Sequence, residues 1–131
     1  MILISSARYL PNIDLGILTK TIEKIKAEGY EIYTSLESDS DNPFEGTDRL
    51  VCSLVDLIRL APVAKMVLGV RCGVFDMLAY TDSRLMVIYT GSEEEKRFFS
   101  LNGAPQKVAC VREYSEQELR DRIRRSETII D

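Results

Sequence analysis

Short apolar runs alternate with amphipathic segments along this chain, which predicts an α/β fold. The expected form is a three-layer, Rossmann-like parallel sheet of about 5–6 strands with helices on both faces. Three observations carry the prediction. Ile2–Ser5, Met66–Val70 and Leu85–Tyr89 are nearly continuous apolar runs, the pattern of strands buried on both faces. Between such runs the apolar spacing becomes helical, as at Leu15, Leu18, Ile22 and Ile25. Helix boundary residues also stand where they belong, with Ser53 and Ser115 before helices and Gly29 after one.

Taken in order, Ile2–Ser5 is the first strand and Ser6–Ile13, with Pro11 and Asn12, a loop. Asp14 is an N-cap for a helix over about 14–28, closed by Gly29 at C′. Tyr30–Ser35 is the second strand, Leu36–Asp48 a polar loop, and Arg49–Cys52 the third strand. Ser53 with Asp56 three residues on resembles a capping box; Leu54, Leu57 and Ile58 give that helix its buried face, and Pro62 ends it. Met66–Val70 is followed by a helix opening at Gly73, with Val74, Met77 and Leu78 on one face. Leu85–Tyr89 is the next strand. A short helix over about 93–99 follows, with Ser92 as its cap and Phe98 and Phe99 as anchors. Val108–Val111 is the last strand. Ser115 and Glu118 form a capping box for a helix over about 116–126, with Leu119 and Ile123 inward and its arginines on a solvated, salt-bridged face.

With 131 residues the chain reads as one domain, 1–131, with a real core. Net charge is −4 and the pI is near 5.0, which argues against nucleic acid or an anionic membrane as a partner. No apolar run has the roughly 18 residues needed to span a bilayer. MILISSARYL lacks a charged region before its apolar run, so it reads as a first strand and not a signal peptide, and a cytoplasmic location is the default. The three cysteines, Cys52, Cys72 and Cys110, have no C-x-x-C spacing and imply no disulfide framework or zinc ribbon. Histidine is absent, which excludes a Ser-His-Asp triad, a Cys-His dyad and any histidine-containing metal site. The acidic loop 36–48 lacks the D-x-D-x-D-G spacing of a calcium loop, so neither metal nor other cofactor is expected.

The chemistry concentrates in Lys65–Tyr89. A strand running into Arg71, Cys72 and Gly73 and then a helix is an anion-binding arrangement. Arg71 adds a fixed charge and a planar fork suited to phosphate. The turn is neither G-x-G-x-x-G nor a P-loop. The competing reading is a plain strand–helix turn with Arg71 paired to Asp76 or Asp82. Ligands of parallel sheets bind at the carboxyl ends of the strands. Here those ends carry Ser5–Ser6, Ser35–Leu36, Ser53, Arg71–Gly73 and Thr90–Gly91. Cys72, beside Arg71 at a helix start, has a setting that can lower a thiol pKa, but it lacks a base partner and reads first as a packing or backbone residue.

The phrases ILISSARYLPNIDL, EGYEIYTS, NPFEGTDRLVCSLVDLIRLAPVAKMVLGVRCGVFDMLA and RLMVIYT stand in an order that resembles the C-terminal, donor-binding half of bacterial GT-B glycosyltransferases. The nearest kinds are heptosyltransferase-like and polysaccharide-biosynthesis transferases. In that family a helix similar to SLVDLIRLA precedes a strand ending Ile-Gly-x-Arg-Ser-Gly, then a helix with Asp-x-Leu-Ala. Gly69, Arg71, Gly73, Asp76, Leu78 and Ala79 stand at those positions, with Cys72 in place of serine. The resemblance spans about residues 1–95. It implies a nucleotide-sugar or nucleoside diphosphate held by Arg71 and the Cys72–Gly73 backbone, with Asp76 orienting the turn or the sugar. Ser5 and Ser6 would lie by the phosphates and the loop after Ser35 near the base. Ser53, at the same edge by its place after the third strand, reads as a helix cap before a ligand contact. No divalent metal is required. A GT-B enzyme also needs an N-terminal acceptor domain, so the expected partners are that missing domain or a second copy of the chain, and transfer is not expected from these residues alone. The alternative is a non-catalytic α/β module binding a nucleotide or a partner chain.

Overall fold

The computed structural model describes residues 14–91, 93–103 and 109–130, and residues 2–5 as backbone. The elements follow the order β1 (Ile2–Ser5), α1 (Leu15–Ala27), β2 (Ile32–Leu36), β3 (Asp48–Val51), α2 (Leu54–Leu60), β4 (Met66–Val70), α3 (Gly73–Leu78), β5 (Arg84–Tyr89), α4 (Glu93–Phe98), β6 (Cys110–Ser115) and α5 (Glu116–Arg124). The strands form one six-stranded sheet in the order β3-β2-β1-β4-β5-β6, and every pairing is parallel. From β1 the chain steps outward to β2 and β3, returns to lay β4 on the other side of β1, and then steps outward the other way. The topological switch point therefore lies between β1 and β4, where Ile2, Leu3 and Ile4 sit opposite Met66, Val67 and Leu68.

Each face of the sheet carries its own core. On one, Ile17, Leu18, Ile22 and Ile25 of α1 and Leu119 of α5 pack on Met66, Leu68, Val70, Met86 and Ile88. On the other, Leu57 of α2, Ala61 at its C-cap, and Phe75 and Leu78 of α3 pack on Val67, Leu85, Val87 and Tyr89. Alternating side chains of β4 and β5 thus feed both faces, which is why these strands read as unbroken apolar runs. All five residues of β4 are buried.

Local chemistry sets the helix ends. The Asp14 carboxylate accepts a hydrogen bond from Gly16 N at 2.9 Å, and α1 ends before Gly29, whose φ of +91° suits glycine at C′. Ser53 with Asp56 and Ser115 with Glu118 both form complete capping boxes. Beyond α5 the chain turns through Ser126, at φ +56°, and buries Ile129 and Ile130 in the α1 face. The Glu28 carboxylate accepts hydrogen bonds from Ile129 N at 2.9 Å and Ile130 N at 3.2 Å.

Several sequence expectations need correction. β2 spans Ile32–Leu36 and β3 spans Asp48–Val51, each displaced slightly from the apolar runs. The last strand is Cys110–Ser115 and not Val108–Val111; Val108 lies outside the described residues, as do Ser6–Ile13 and Ser92. REYS is polar because β6 is an edge strand with few neighbours, and Ser115 ends the strand and caps α5 with no loop between. Leu15, Leu54 and Met77 face outward; Ile17, Leu57 and Phe75 take the inward positions. Phe98 and Phe99 do not anchor α4. Phe98 is 82% exposed, and no residue of α4 is buried.

Candidate functional site at the end of β4

β4 runs beyond Val70, with Arg71 N bonded to Ile88 O at 2.9 Å. Cys72 is then extended, at φ −155° and ψ 175°, and caps α3 without a side-chain hydrogen bond. Phe75 and Leu78, both fully buried, pin α3 to the sheet. Six residues make fewer than two helical turns, so the helix dipole here is small and Arg71 supplies the charge. A Cβ built on Gly73 meets nothing within 4 Å, and its φ is not in the left-handed region. The fold therefore does not require glycine there. The glycine leaves open space against the turn.

Arg71 is engaged on every nitrogen. Nη2 donates to Asp76 Oδ1 at 2.6 Å, and Nη1 to Asp76 Oδ2 at 3.1 Å and to Cys72 O at 2.7 Å. Nε donates to Phe99 O at 3.2 Å. Among the described residues its acidic partner is Asp76 and not Asp82. The two side chains differ in access, 17% exposed for Arg71 and 57% for Asp76. Burial works against the guanidinium's charge, but Asp76 outweighs it and the pKa is raised, so Arg71 stays cationic. The Cys72 thiol is pushed up, first by burial, despite the Val74 amide and Arg71 acting the other way. That is the opposite of the lowering that a helix start beside a cation gives a thiol.

The Phe99 carbonyl belongs to a second cluster that sequence reasoning missed. Tyr89 Oη lies 3.0 Å from Phe99 O and 2.7 Å from Glu113 Oε1, so one hydroxyl proton serves two acceptors. Glu113 also accepts from Ser100 Oγ at 2.6 Å, Leu101 N at 2.7 Å and Asn102 Nδ2 at 2.9 Å. Burial opposes the Glu113 charge, but these donors outweigh it and hold the carboxyl below its usual range. Burial, then Glu113, pushes the Tyr89 phenol well up. The available signal was an acid on the same strand face as Val111, level with the buried Val87 of β5. An open pocket of about 710 Å³ borders the cluster, lined by Lys96, Arg97, Phe98, Ser100 and Glu113 among others.

Arg71, Cys72, Gly73 and Asp76 thus stand together. The β1 backbone brings Ser5 to the same edge, one strand from β4; its side chain and all of Ser6 lie outside the described residues. Ser53 does not join them. β3 lies three strand spacings from β4, roughly 14 Å, and Ser53 Oγ is occupied with Asp56, accepting from its N at 3.1 Å and donating to Oδ2 at 2.8 Å. Among the described residues no group of three or more Cys, Asp and Glu is placed to hold a metal, and no helix is long and apolar enough to cross a membrane. Comparison with family models, curated proteins and solved structures yields no match.

Proposed function

We propose that the chain binds a nucleoside diphosphate or nucleotide-sugar in the crevice between the carboxyl ends of β1 and β4. In this reading it is the donor-binding half of a GT-B-type glycosyltransferase for surface-glycan assembly. The observation that carries it is the strand order β3-β2-β1-β4-β5-β6 with the Arg71–Gly73 turn at the switch point, the position where doubly wound sheets take nucleotides. Arg71 offsets the diphosphate charge, and the open space at Gly73 lets the backbone approach it. The leaving diphosphate is then stabilised by a fixed cation without a metal. Transfer requires an acceptor-binding partner. The outward Val51, Leu54, Val55 and Phe99, near the carboxyl ends of the strands, support such a partner face.

The bidentate Arg71–Asp76 pair favours a second reading, a non-catalytic α/β module in which that pair only fixes the turn. Calorimetry with a panel of nucleoside diphosphates and nucleotide-sugars separates the two, using wild type and an Arg71→Ala protein shown folded by circular dichroism. Saturable binding that Arg71→Ala abolishes supports the donor site. Equal affinity in both proteins sinks the Arg71 assignment, and no binding by wild type favours the second reading.

A further inference from the structure

Arg71 is oriented by two backbone carbonyls of different origin. Cys72 O comes with the turn itself, whereas Phe99 O comes from 28 residues away, in the irregular segment after α4. α4 does not fix that segment by packing, since none of its residues is buried. Leu101, buried in the core beside Val87 and Tyr89, and Glu113 together fix it: the carboxylate gathers Ser100 Oγ, Leu101 N and Asn102 Nδ2, and Tyr89 Oη bridges the same carboxylate to Phe99 O. Four elements meet here: β4 brings Arg71, β5 brings Tyr89, β6 brings Glu113 and the end of α4 brings Phe99.

We propose that Glu113 is a positioning residue for the anion seat: by holding residues 100–102 it aims the Phe99 carbonyl at Arg71 Nε and so sets where the guanidinium presents its Nη fork to a diphosphate. This rests on the reading of Arg71 as the diphosphate seat. With Nε and Nη1 tied to carbonyls, the partner that a phosphate replaces is Asp76, whose side chain is more than half exposed. A fork recognises phosphate through two parallel hydrogen bonds, so its aim matters as much as its charge.

The test is a double-mutant cycle of Glu113→Gln with Arg71→Lys, read by titration with uridine diphosphate and, separately, guanosine diphosphate. Lysine keeps the charge but has neither the Nε–H nor the fork. Glu113→Gln should weaken nucleotide binding about tenfold beside Arg71, and less than about twofold beside Lys at that position, a coupling typical of one hydrogen-bond network. A merely structural glutamate would cost thermal stability equally in both backgrounds and leave the affinity of the folded protein unchanged. The Arg71 Nε–H resonance gives a readout without ligand: it should be protected from exchange in wild type and lose that protection in Glu113→Gln. If Glu113→Gln does not fold, Tyr89→Phe, which removes only the bridging hydroxyl, should shift affinity and Nε–H protection in the same directions. Unchanged protection, or additive affinity losses, overturns the role of Glu113 while leaving the diphosphate site standing. Failure of wild type to bind these two or any other nucleoside diphosphate or nucleotide-sugar of the panel overturns the site itself, and the proposal with it, before any variant is made.

Discussion

α2 and α5 begin in one way and α3 in another. The first two follow the edge strands β3 and β6, and each opens with a serine whose hydroxyl and reciprocal acid form a capping box. α3 follows the central strand β4 and opens with Cys72, whose side chain makes no capping bond. The edge helices satisfy their leading amides internally, which stabilises the fold and leaves little for a ligand. α3 is held instead by Phe75 and Leu78 beneath it and by Arg71 beside it. Its start stays open, with space over Gly73. Chemistry is thus proposed at the helix start that the fold has left least complete.

Substitutions test that contrast, beginning where the effect is largest. Phe75→Ala should cost about 3–5 kcal/mol, as loss of a large buried side chain does, because packing and not capping secures α3; chemical denaturation would measure it. A loss below about 1 kcal/mol would mean that α3 is held some other way. Ser115→Ala should cost about 1 kcal/mol by removing a cap, and Ser53→Ala should also destabilise, neither changing nucleotide affinity. Gly73→Ala should leave stability equal or raise it by up to about 1 kcal/mol, since alanine fits this backbone. It should nonetheless weaken nucleoside-diphosphate binding, because its Cβ fills the open space; a variant that binds normally would remove the proposed close approach. Smallest, Cys72→Ser should raise stability by about 0.5 kcal/mol by supplying the missing cap and should retain binding.

The capped helices also carry a pH signature. Burial works against the Glu118 charge, but Lys96 at 2.6 Å and the Ser115 amide at 2.6 Å outweigh it and lower the pKa. Asp56 is lowered by the Ser53 hydroxyl and amide. A depressed folded-state pKa gives stability that is present above the ordinary carboxylate range and lost as pH falls through the folded value. The cost of Glu118→Gln should therefore be full at pH 7 and shrink as the solution is acidified below the usual glutamate range. A penalty that stays constant down to acid unfolding would exclude the reciprocal box as its source.

The sequence was most legible where one local force dominates. Buried strands such as Met66–Val70 appear as apolar runs because both their faces are covered, and the two serine boxes appear because capping is a matter of neighbours three residues apart. Legibility fell where tertiary context decides. Phe98 and Phe99 were read as anchors on hydrophobicity alone, yet α4 lies on the surface. β6 was read too early because edge strands tolerate charge. The Arg71–Asp76 pair was among the alternatives, since the acid is only five residues away, but the Phe99 carbonyl and Glu113 were not, because they reach the turn through strand adjacency. Parallel alternation implied crossovers, while the order β3-β2-β1-β4-β5-β6 depends on which edge each crossover chooses, and no residue spells that out.

The pairing of Glu28 with the amides of Ile129 and Ile130 spans 101 and 102 residues. During synthesis, α1 must wait for every element from β2 to α5 before its outer margin can close. A nascent chain halted before residue 129 would carry α1 without the two isoleucines that complete its face, and the loop to be closed is among the longest this chain can form. The α1 side of the sheet is therefore sealed late, only after the elements from β2 to α5 have been made.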